Sequence, residues 1–183
     1  MRDHCEVSGG LSLRRWSSED VRAVLTAFED PMMSRQAAEP IDSPGAAERW
    51  LTDRTDQWTS GTAYAFAVVD AADTVLGQVA VGAVNHRHGT GWVSYWTTPA
   101  VRGRGVASRA CRTLARWCFD DLGLYRLELG HRLDNPASCT VARAAGFTAE
   151  GVERQKLEYD GTRYDVERHA RLATDAEPRA TDS

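Results

Sequence analysis

The stretch with the most chemical content is Arg102-Gly103-Arg104-Gly105-Val106-Ala107-Ser108. Two glycines one residue apart permit a sharp backbone turn. Behind them Ala107, Ala110, Cys111, Leu114, Trp117 and Cys118 recur at the three-four-seven interval of one buried face, which predicts a helix from about Val106 to Leu122. The first N–H groups of a helix have no intrahelical acceptor, and the helix dipole adds partial positive charge there. A turn that aims those groups at one point can hold a pyrophosphate with backbone alone. A side chain at position 103 or 105 would keep the phosphate away. The same residues also make a tight turn that binds nothing, and the loop by itself leaves both readings open. No Gly-Lys-Ser/Thr follows the glycines and no Gly-x-Gly-x-x-Gly is present, so neither a Walker loop nor a dinucleotide-binding turn is indicated.

The elements that must position this loop can be read around it. Ser94 to Thr98 is an apolar, aromatic strand that Pro99 ends. After the helix, Leu122-Gly123 is a stop, and Tyr125 to His131 alternates as another strand. A strand-helix-strand unit implies that these two strands are parallel, joined by a right-handed crossover. Upstream, Leu11 to Trp16 alternates, and Ser17-Ser18-Glu19-Asp20 opens a helix to about Glu29. Met32 to Pro40 has little pattern. Ser43-Pro44 opens a second helix to about Trp58. Strands over 63–69, 75–84 and 92–98, joined by short turns, read as an antiparallel meander. Asn135-Pro136 starts a further helix that ends at Gly146, and residues 147–159 and 163–172 form a hairpin about Asp160-Gly161. Residues 1–10 are expected to be flexible, 11–172 to form a single domain, and 173–183 to be a disordered tail.

Composition limits the function classes. The 183 residues are 42% hydrophobic, enough for one domain with a core of its own. A net charge of −4 supplies no basic field for nucleic acid. No apolar stretch approaches membrane length and the first residues lack an apolar signal region, so a cytoplasmic protein is expected. The four cysteines have no metal or redox spacing, and Cys111 and Cys118 read as reduced core residues. His86 and His88 fall in a turn without acidic or cysteine companions, so they read as solvated loop residues; no metal is expected.

Two motifs at a fixed separation carry a family resemblance. Arg102 to Ala107 fits an Arg/Gln-x-x-Gly-x-Gly/Ala signature placed between a strand and a helix. Downstream, Asn135-Pro136-Ala137-Ser138 with Gly146-Phe147 and Glu150-Gly151 fits an Asn-x-x-Ser…Gly-Phe…Glu-Gly block. Together they resemble the GNAT-type N-acetyltransferases, in particular the RimJ/RimL branch that acetylates ribosomal-protein N-termini. The resemblance covers roughly Leu11 to Leu172. It implies an α/β (α+β) GNAT fold: a mixed, mostly antiparallel sheet of six to seven strands, a central parallel pair that splays apart, and about four helices.

The resemblance also implies chemistry. Acetyl-CoA enters the splay as cosubstrate. Its pantetheine arm pairs with the backbone of Tyr95, Trp96 and Thr97 like an added strand. Its pyrophosphate rests on Gly103, Arg104, Gly105, Val106, Ala107 and Ser108, with Arg102 either reaching phosphate or solvated. A backbone N–H near Trp96 or Thr97 polarises the thioester carbonyl. Asn135 holds the pantetheine, caps its helix, or both. The Tyr that many members carry seven residues after this Asn is Ala142 here, so the usual acid for the leaving thiolate is missing. The Ser of the ribosomal-protein branch maps onto Ser138, whose alternative is to satisfy a helix N–H. The Glu that some relatives carry five residues before the Asn is Gly130. The hairpin Glu of the ribosomal-protein branch aligns at Leu157, so Glu158 qualifies as base only if a bulge intervenes. Glu128 and His131 are the other base candidates, each with a structural alternative, and deprotonation through water needs none of them.

These implications define the expected function: an acetyl-CoA-dependent N-acetyltransferase acting by direct attack of a primary amine, with a protein N-terminal α-amine as the acceptor the resemblance suggests. The alternatives are a small-molecule amine acetyltransferase (antibiotic, polyamine or amino acid) and a non-catalytic acyl-CoA-binding sensor. An interaction domain that binds no CoA is a further option. A homodimer through the C-terminal hairpin or a sheet edge is expected beside a monomer, with neither nucleic acid nor membrane as partner.

Overall fold

The computed structural model of the chain describes residues 2–34, 37 and 39–178. It opens on a hairpin of β1 (His4–Val7) and β2 (Leu11–Arg15). Part of the stretch expected to be flexible, residues 4–7, is thus a paired strand. Cys5 and Val7 alternate inward, the Arg2 guanidinium pairs with Asp121 at 2.6 Å, and the Arg2 carbonyl accepts the Trp117 indole N–H at 2.8 Å. A four-residue strand is too short for its alternation to stand out.

Ser17 then starts helical structure. Its hydroxyl accepts from the Glu19 N–H, while the Asp20 carboxylate accepts from the Ser17 N–H at 2.9 Å, a reciprocal capping box. A 3-10 turn leads into α1 (Val21–Phe28) and a single-turn α2 (Pro31–Ser34). In the poorly patterned stretch beyond, residues 35, 36 and 38 lie outside the described residues; Met33 is buried and Met32 is exposed. Helix α3 (Pro44–Ser60) is capped by Ser43, has Pro44 in its first turn, and ends on Gly61 in the left-handed conformation.

The meander follows as β3 (Tyr64–Val69), β4 (Val75–Asn85) and β5 (Thr90–Thr97), then α4 (Val106–Asp120), β6 (Arg126–Arg132), α5 (Pro136–Ala144), β7 (Thr148–Tyr159) and β8 (Thr162–Leu172). All eight strands form one sheet in the order β1-β2-β3-β4-β5-β6-β8-β7. The strand beyond the expected six to seven is β1. Among the described residues only β5 and β6 are parallel; every other pairing is antiparallel. In the described part of the tail Glu177 pairs with Arg171 at 3.0 Å. Residues 179–183 lie outside the described residues.

The sheet is covered on both faces. On one face, Leu114, Trp117 and Cys118 of α4 pack with Leu13, Phe66, Val79, Leu127 and Leu129. On the other, Val24 and Phe28 of α1 and Ala47 and Leu51 of α3 pack with Trp16, Ala65, Ala67 and Trp96. Strand β3 is buried along its whole length because it lies under both layers.

Candidate active site

The cleft between the parallel strands is a consequence of register. β5 and β6 pair only at Thr90↔Arg126, Gly91↔Leu127 and Trp92↔Glu128. Beyond this point β5 stays with β4 and β6 stays with β8, so the facing edges of residues 93–97 and 129–132 do not meet. The peptide groups on the open edge can be assigned. The Thr98 N–H donates to the Leu76 carbonyl at 2.8 Å, and β4 and β5 keep an unbroken register from Thr97 back to Trp92. Peptide groups alternate sides along a strand. Those of Ser94 and Trp96 therefore join the β4 ladder, while those of Tyr95 and Thr97 face the cleft. Of the two candidates for a carbonyl-polarising N–H, Thr97 is the one that points into the opening.

The loop at the end of this edge has the geometry that its glycines permit. Gly103 and Gly105 have φ of 77° and 70°, in the left-handed region. Gly105 is the N-cap of α4 and supplies no side-chain cap. At this end the first helical bond runs from the Arg109 N–H to the Gly105 carbonyl at 3.1 Å, which leaves the Val106, Ala107 and Ser108 N–H groups without intrahelical acceptors. The Val106 side chain is buried in the core, so only its backbone faces outward.

Two arginines refine the loop. Arg102 reaches not the loop but Asp30, at 2.5 Å, and ties the α1–α2 turn to this region. Asp30 is held below the usual carboxylate range by the Met32 N–H and by Arg102. Arg109 was not singled out by the sequence reading. A Cβ on Gly105 would lie 3.4 Å from Arg109 Nη1, and one on Gly9 would lie 3.5 Å from its Cζ. Its Nε is buried with no partner among the described residues. The available signal was its spacing: an arginine four residues after Gly105 sits one turn above the free N–H groups.

Helix α5 closes the cleft from the β6 side. The Asn135 carboxamide oxygen accepts the Ser138 N–H at 3.1 Å, the capping geometry its type and Pro136 predict. The Ser138 hydroxyl is therefore not consumed in capping, and it has no hydrogen-bond partner among the described residues. The Tyr95 hydroxyl donates to the Ser138 carbonyl at 3.2 Å and spans the cleft from β5 to α5. Burial pushes the Tyr95 phenol well above its usual value, so it stays a donor.

The base candidates fall on different faces. Glu128 lies on the α1/α3 face, but both its oxygens are engaged, by Arg126 at 2.7 Å and Arg168 at 2.7 Å. Arg168 also stacks on the Trp92 ring at 4.6 Å and meets Glu153 at 3.3 Å. Gly130 shares that face. A Cβ there would meet Val166 at 2.9 Å and the Trp92 ring at 3.1 Å, so the tryptophan fills the space a glutamate would need. His131 points to the opposite face, beside α5, with its Nε2 3.1 Å from Nε2 of His169. Strand β7 does carry the bulge that Glu158 required, but with the wrong parity. Between the pairs Glu153↔Val166 and Leu157↔Tyr164, β7 spends four residues while β8 spends two. Two extra residues do not flip the face, so Leu157 stays on the Val166 side and Glu158 lies opposite, paired with Arg163 at 2.5 Å. The structure does not bring Glu158 to the Trp92 face.

A cavity of about 450 Å³ opens on the α3 side of the sheet beside Trp92 and Ser94. Arg54, Gln57, Thr62, Gln78 and Ser94 supply its polar lining, and among the described residues no carboxylate lines it. Gln78 is buried and its Oε1 has no partner among the described residues; Arg54 stacks on Trp50 at 4.7 Å and its Nε is likewise unpartnered. These residues come from α3, β3, β4 and β5, so no linear motif marks them.

A splayed parallel pair with a glycine turn at the end of one strand is a specific arrangement, and comparison with known proteins gives it a family. A profile of the acetyltransferase (GNAT) domain matches residues 11–148. The chain belongs to the GNAT acetyltransferase family. Within the family its similarity is to the RimJ/RimL type. The chain is 28% identical to the ribosomal-protein-serine acetyltransferase of Escherichia coli over 100 residues, 55% of this chain and 56% of that protein. It is 26% identical to the spermidine N(1)-acetyltransferase of Escherichia coli over 141 residues, 77% of this chain and 74% of that protein. Against "Probable N-acetyltransferase YjcK" of Bacillus subtilis, at 29% identity, the match spans 62% of the relative's length. Among solved structures, RimL in complex with coenzyme A superposes with a TM-score of 0.84 at 22% identity, covering 92% of this chain and 97% of that one. RimJ of Mycobacterium smegmatis, solved with a CoA-disulfide, gives 0.81 at 23% identity, covering 89% and 82%. These last two establish the shared fold. No helix among the described residues is long and apolar enough to cross a membrane.

Proposed function

We propose that this GNAT chain transfers the acetyl group of acetyl-CoA to a protein N-terminal α-amine. The observation that carries the reading is the alignment of two unsatisfied backbone features: the open β5 edge at Tyr95 and Thr97, and the free N–H groups at the start of α4. Extended pantetheine fits the first as an added strand, and pyrophosphate fits the second. Arg109 adds a positive charge above the loop.

The amine attacks the thioester carbonyl carbon, and the C–S bond breaks as the tetrahedral intermediate collapses. The Thr97 N–H stabilises the oxyanion. The thiolate leaves and takes a proton from the Ser138 hydroxyl, and Ser138 regains one through water from the ammonium nitrogen of the collapsing intermediate. The attacking amine, mostly protonated at neutral pH, loses its proton to water in the cavity, because Glu128 is held by two arginines and Glu158 and His131 face away. The lining of the cavity favours a peptide over a polyamine. A polyamine carries further ammonium groups that need carboxylates, whereas this cavity presents Arg54 and the unpartnered oxygen of Gln78.

The test is thiol release from acetyl-CoA with short peptides bearing free N-termini, beside spermidine and free amino acids. Release with peptides alone, with mass spectrometry placing the acetyl group on the α-amine, is expected. Faster turnover of spermidine would reassign the acceptor. Binding of acetyl-CoA without release for any amine would make the chain an acyl-CoA sensor.

A further inference from the structure

A cluster outside the proposed reaction has the composition of a metal centre. His131 on β6, Glu167 and His169 on β8, and Cys139 on α5 each present one donor atom, and the four atoms lie within 4.8 Å of one another. The two imidazole Nε2 atoms are 3.1 Å apart. Glu167 Oε2 lies 2.8 Å from His169 Nε2, 3.3 Å from His131 Nε2 and 3.5 Å from Cys139 Sγ. Zinc bonds of about 2.0–2.1 Å to nitrogen and oxygen, and about 2.3 Å to sulfur, give a tetrahedron with edges of about 3.4–3.6 Å. Four of the six separations, 2.8–3.5 Å, lie near or below those edges, and none exceeds 4.8 Å.

Protons alone satisfy this cluster poorly. His131 Nδ1 lies 2.9 Å from the Arg132 carbonyl, which can only accept, so Nδ1 carries the hydrogen. In the neutral ring Nε2 is then a bare lone pair, aimed at His169 and Glu167. A carboxylate oxygen, a second imidazole nitrogen and a sulfur converge on the same point. Among the described residues, neutral groups offer one His169 N–H and one thiol S–H there. One cation would satisfy all four donors, and the carbonyl behind His131 is the outer contact that orients a ligating imidazole. Both histidines are buried, while Cys139 and Glu167 are partly exposed and give an ion a way in.

We propose that these four side chains form a tetrahedral site for a borderline-soft divalent metal, Zn²⁺ in first place. Two imidazoles and a thiolate select against Mg²⁺ and Ca²⁺, and the compact closed set matches a structural rather than a catalytic zinc. Binding replaces the Cys139 S–H bond with an S–metal bond and releases that proton to solvent. The site would pin α5 to β6 and β8. Cys139 follows Ser138 directly, so the metal would fix the helix turn that borders the cleft. No linear spacing announces the set, because its members come from three elements.

The full chain, stripped with a chelator and dialysed, is titrated with Co²⁺ and, separately, with Zn²⁺. The expected result is one metal per chain, the intense visible bands of four-coordinate Co²⁺, a near-ultraviolet thiolate-to-metal band, and a rise in melting temperature with Zn²⁺. Cys139→Ser should lose the thiolate band, and Glu167→Gln should weaken binding by about tenfold or more. Both positions are partly exposed, so the test stands even where His169→Gln fails to fold. A spectrum of octahedral, hydrated Co²⁺ together with a melting temperature indifferent to Zn²⁺ would overturn the proposal and leave a hydrogen-bonded cluster.

Discussion

The two sides of the cleft are made of different material. Toward α4, the proposed cosubstrate site is backbone: the open peptide groups of Tyr95 and Thr97 and the N–H groups of Val106, Ala107 and Ser108. Toward α3, the proposed acceptor site is side chains: Trp92, Ser94, Gln78 and Arg54 around a cavity. A backbone site depends on conformation, so it tolerates changes of side chain and fails when a Cβ intrudes. A side-chain site has the opposite sensitivity. This contrast suits an enzyme whose cosubstrate is fixed and whose acceptor varies between relatives.

The largest effect is expected at Gly105. Gly105→Glu places a charged side chain at a left-handed φ in front of the free N–H groups. Stabilisation by CoA, about 2.7 kcal/mol at a hundred times Kd, should vanish from the melting curve. Arg104→Ala or Ser108→Ala, which keep the backbone, should shift stability by no more than about 0.5 kcal/mol and retain most of the CoA response. If those variants lose the response as fully as Gly105→Glu, the site is not a backbone site.

Next in size is Ser138→Ala. Removing the proposed proton donor should lower kcat by about a hundredfold while leaving the CoA response of the melting temperature intact. An unchanged kcat would remove Ser138 from the chemistry. The acceptor side is probed by Gln78→Glu, which places a carboxylate in the cavity. Relative kcat/KM should move toward polyamines by about tenfold, as expected for a pairing of roughly 1.4 kcal/mol. No movement would place the acceptor elsewhere.

Tyr95→Phe tests the strut between the two sides. Losing the hydrogen bond to the Ser138 carbonyl should cost about 1 kcal/mol in chemical unfolding. The smallest effect is an acid-side one, remote from the cleft. Burial raises the Asp20 pKa, but hydrogen bonds from Arg14 and Ser17 outweigh it and the net shift is downward. A carboxyl lower in the folded than in the unfolded state contributes stability above its unfolded pKa, near 3.9, and loses it as pH falls through the folded value. Asp20→Asn should therefore lower stability at neutral pH and flatten its decline below about pH 4, measured by urea midpoints.

The same contrast explains what could be read in advance. Glycine spacing, helix caps at Ser17, Ser43 and Asn135, and strand alternation are local, so the parallel pair and the glycine turn before α4 were visible, while the splay and the phosphate reading of the turn came only with the family resemblance. Parity was not. The open peptide group is that of Thr97 because the Thr98 N–H is committed to Leu76, and Glu158 misses the Trp92 face because its bulge adds two residues. Gln78, Arg54, Arg109 and the four-donor cluster depend on contacts between elements, which no window of sequence contains. Strand β1 was missed because its order comes from Trp117 and Asp121, far along the chain.

The central claim is that acetyl-CoA binds through the backbone of β5 and the start of α4. The direct test is the melting temperature of the full chain with acetyl-CoA, CoA and 3′-dephospho-CoA, beside Gly105→Glu. A rise with acetyl-CoA and CoA that is lost in the variant is the predicted result. No rise with any of the three would contradict it.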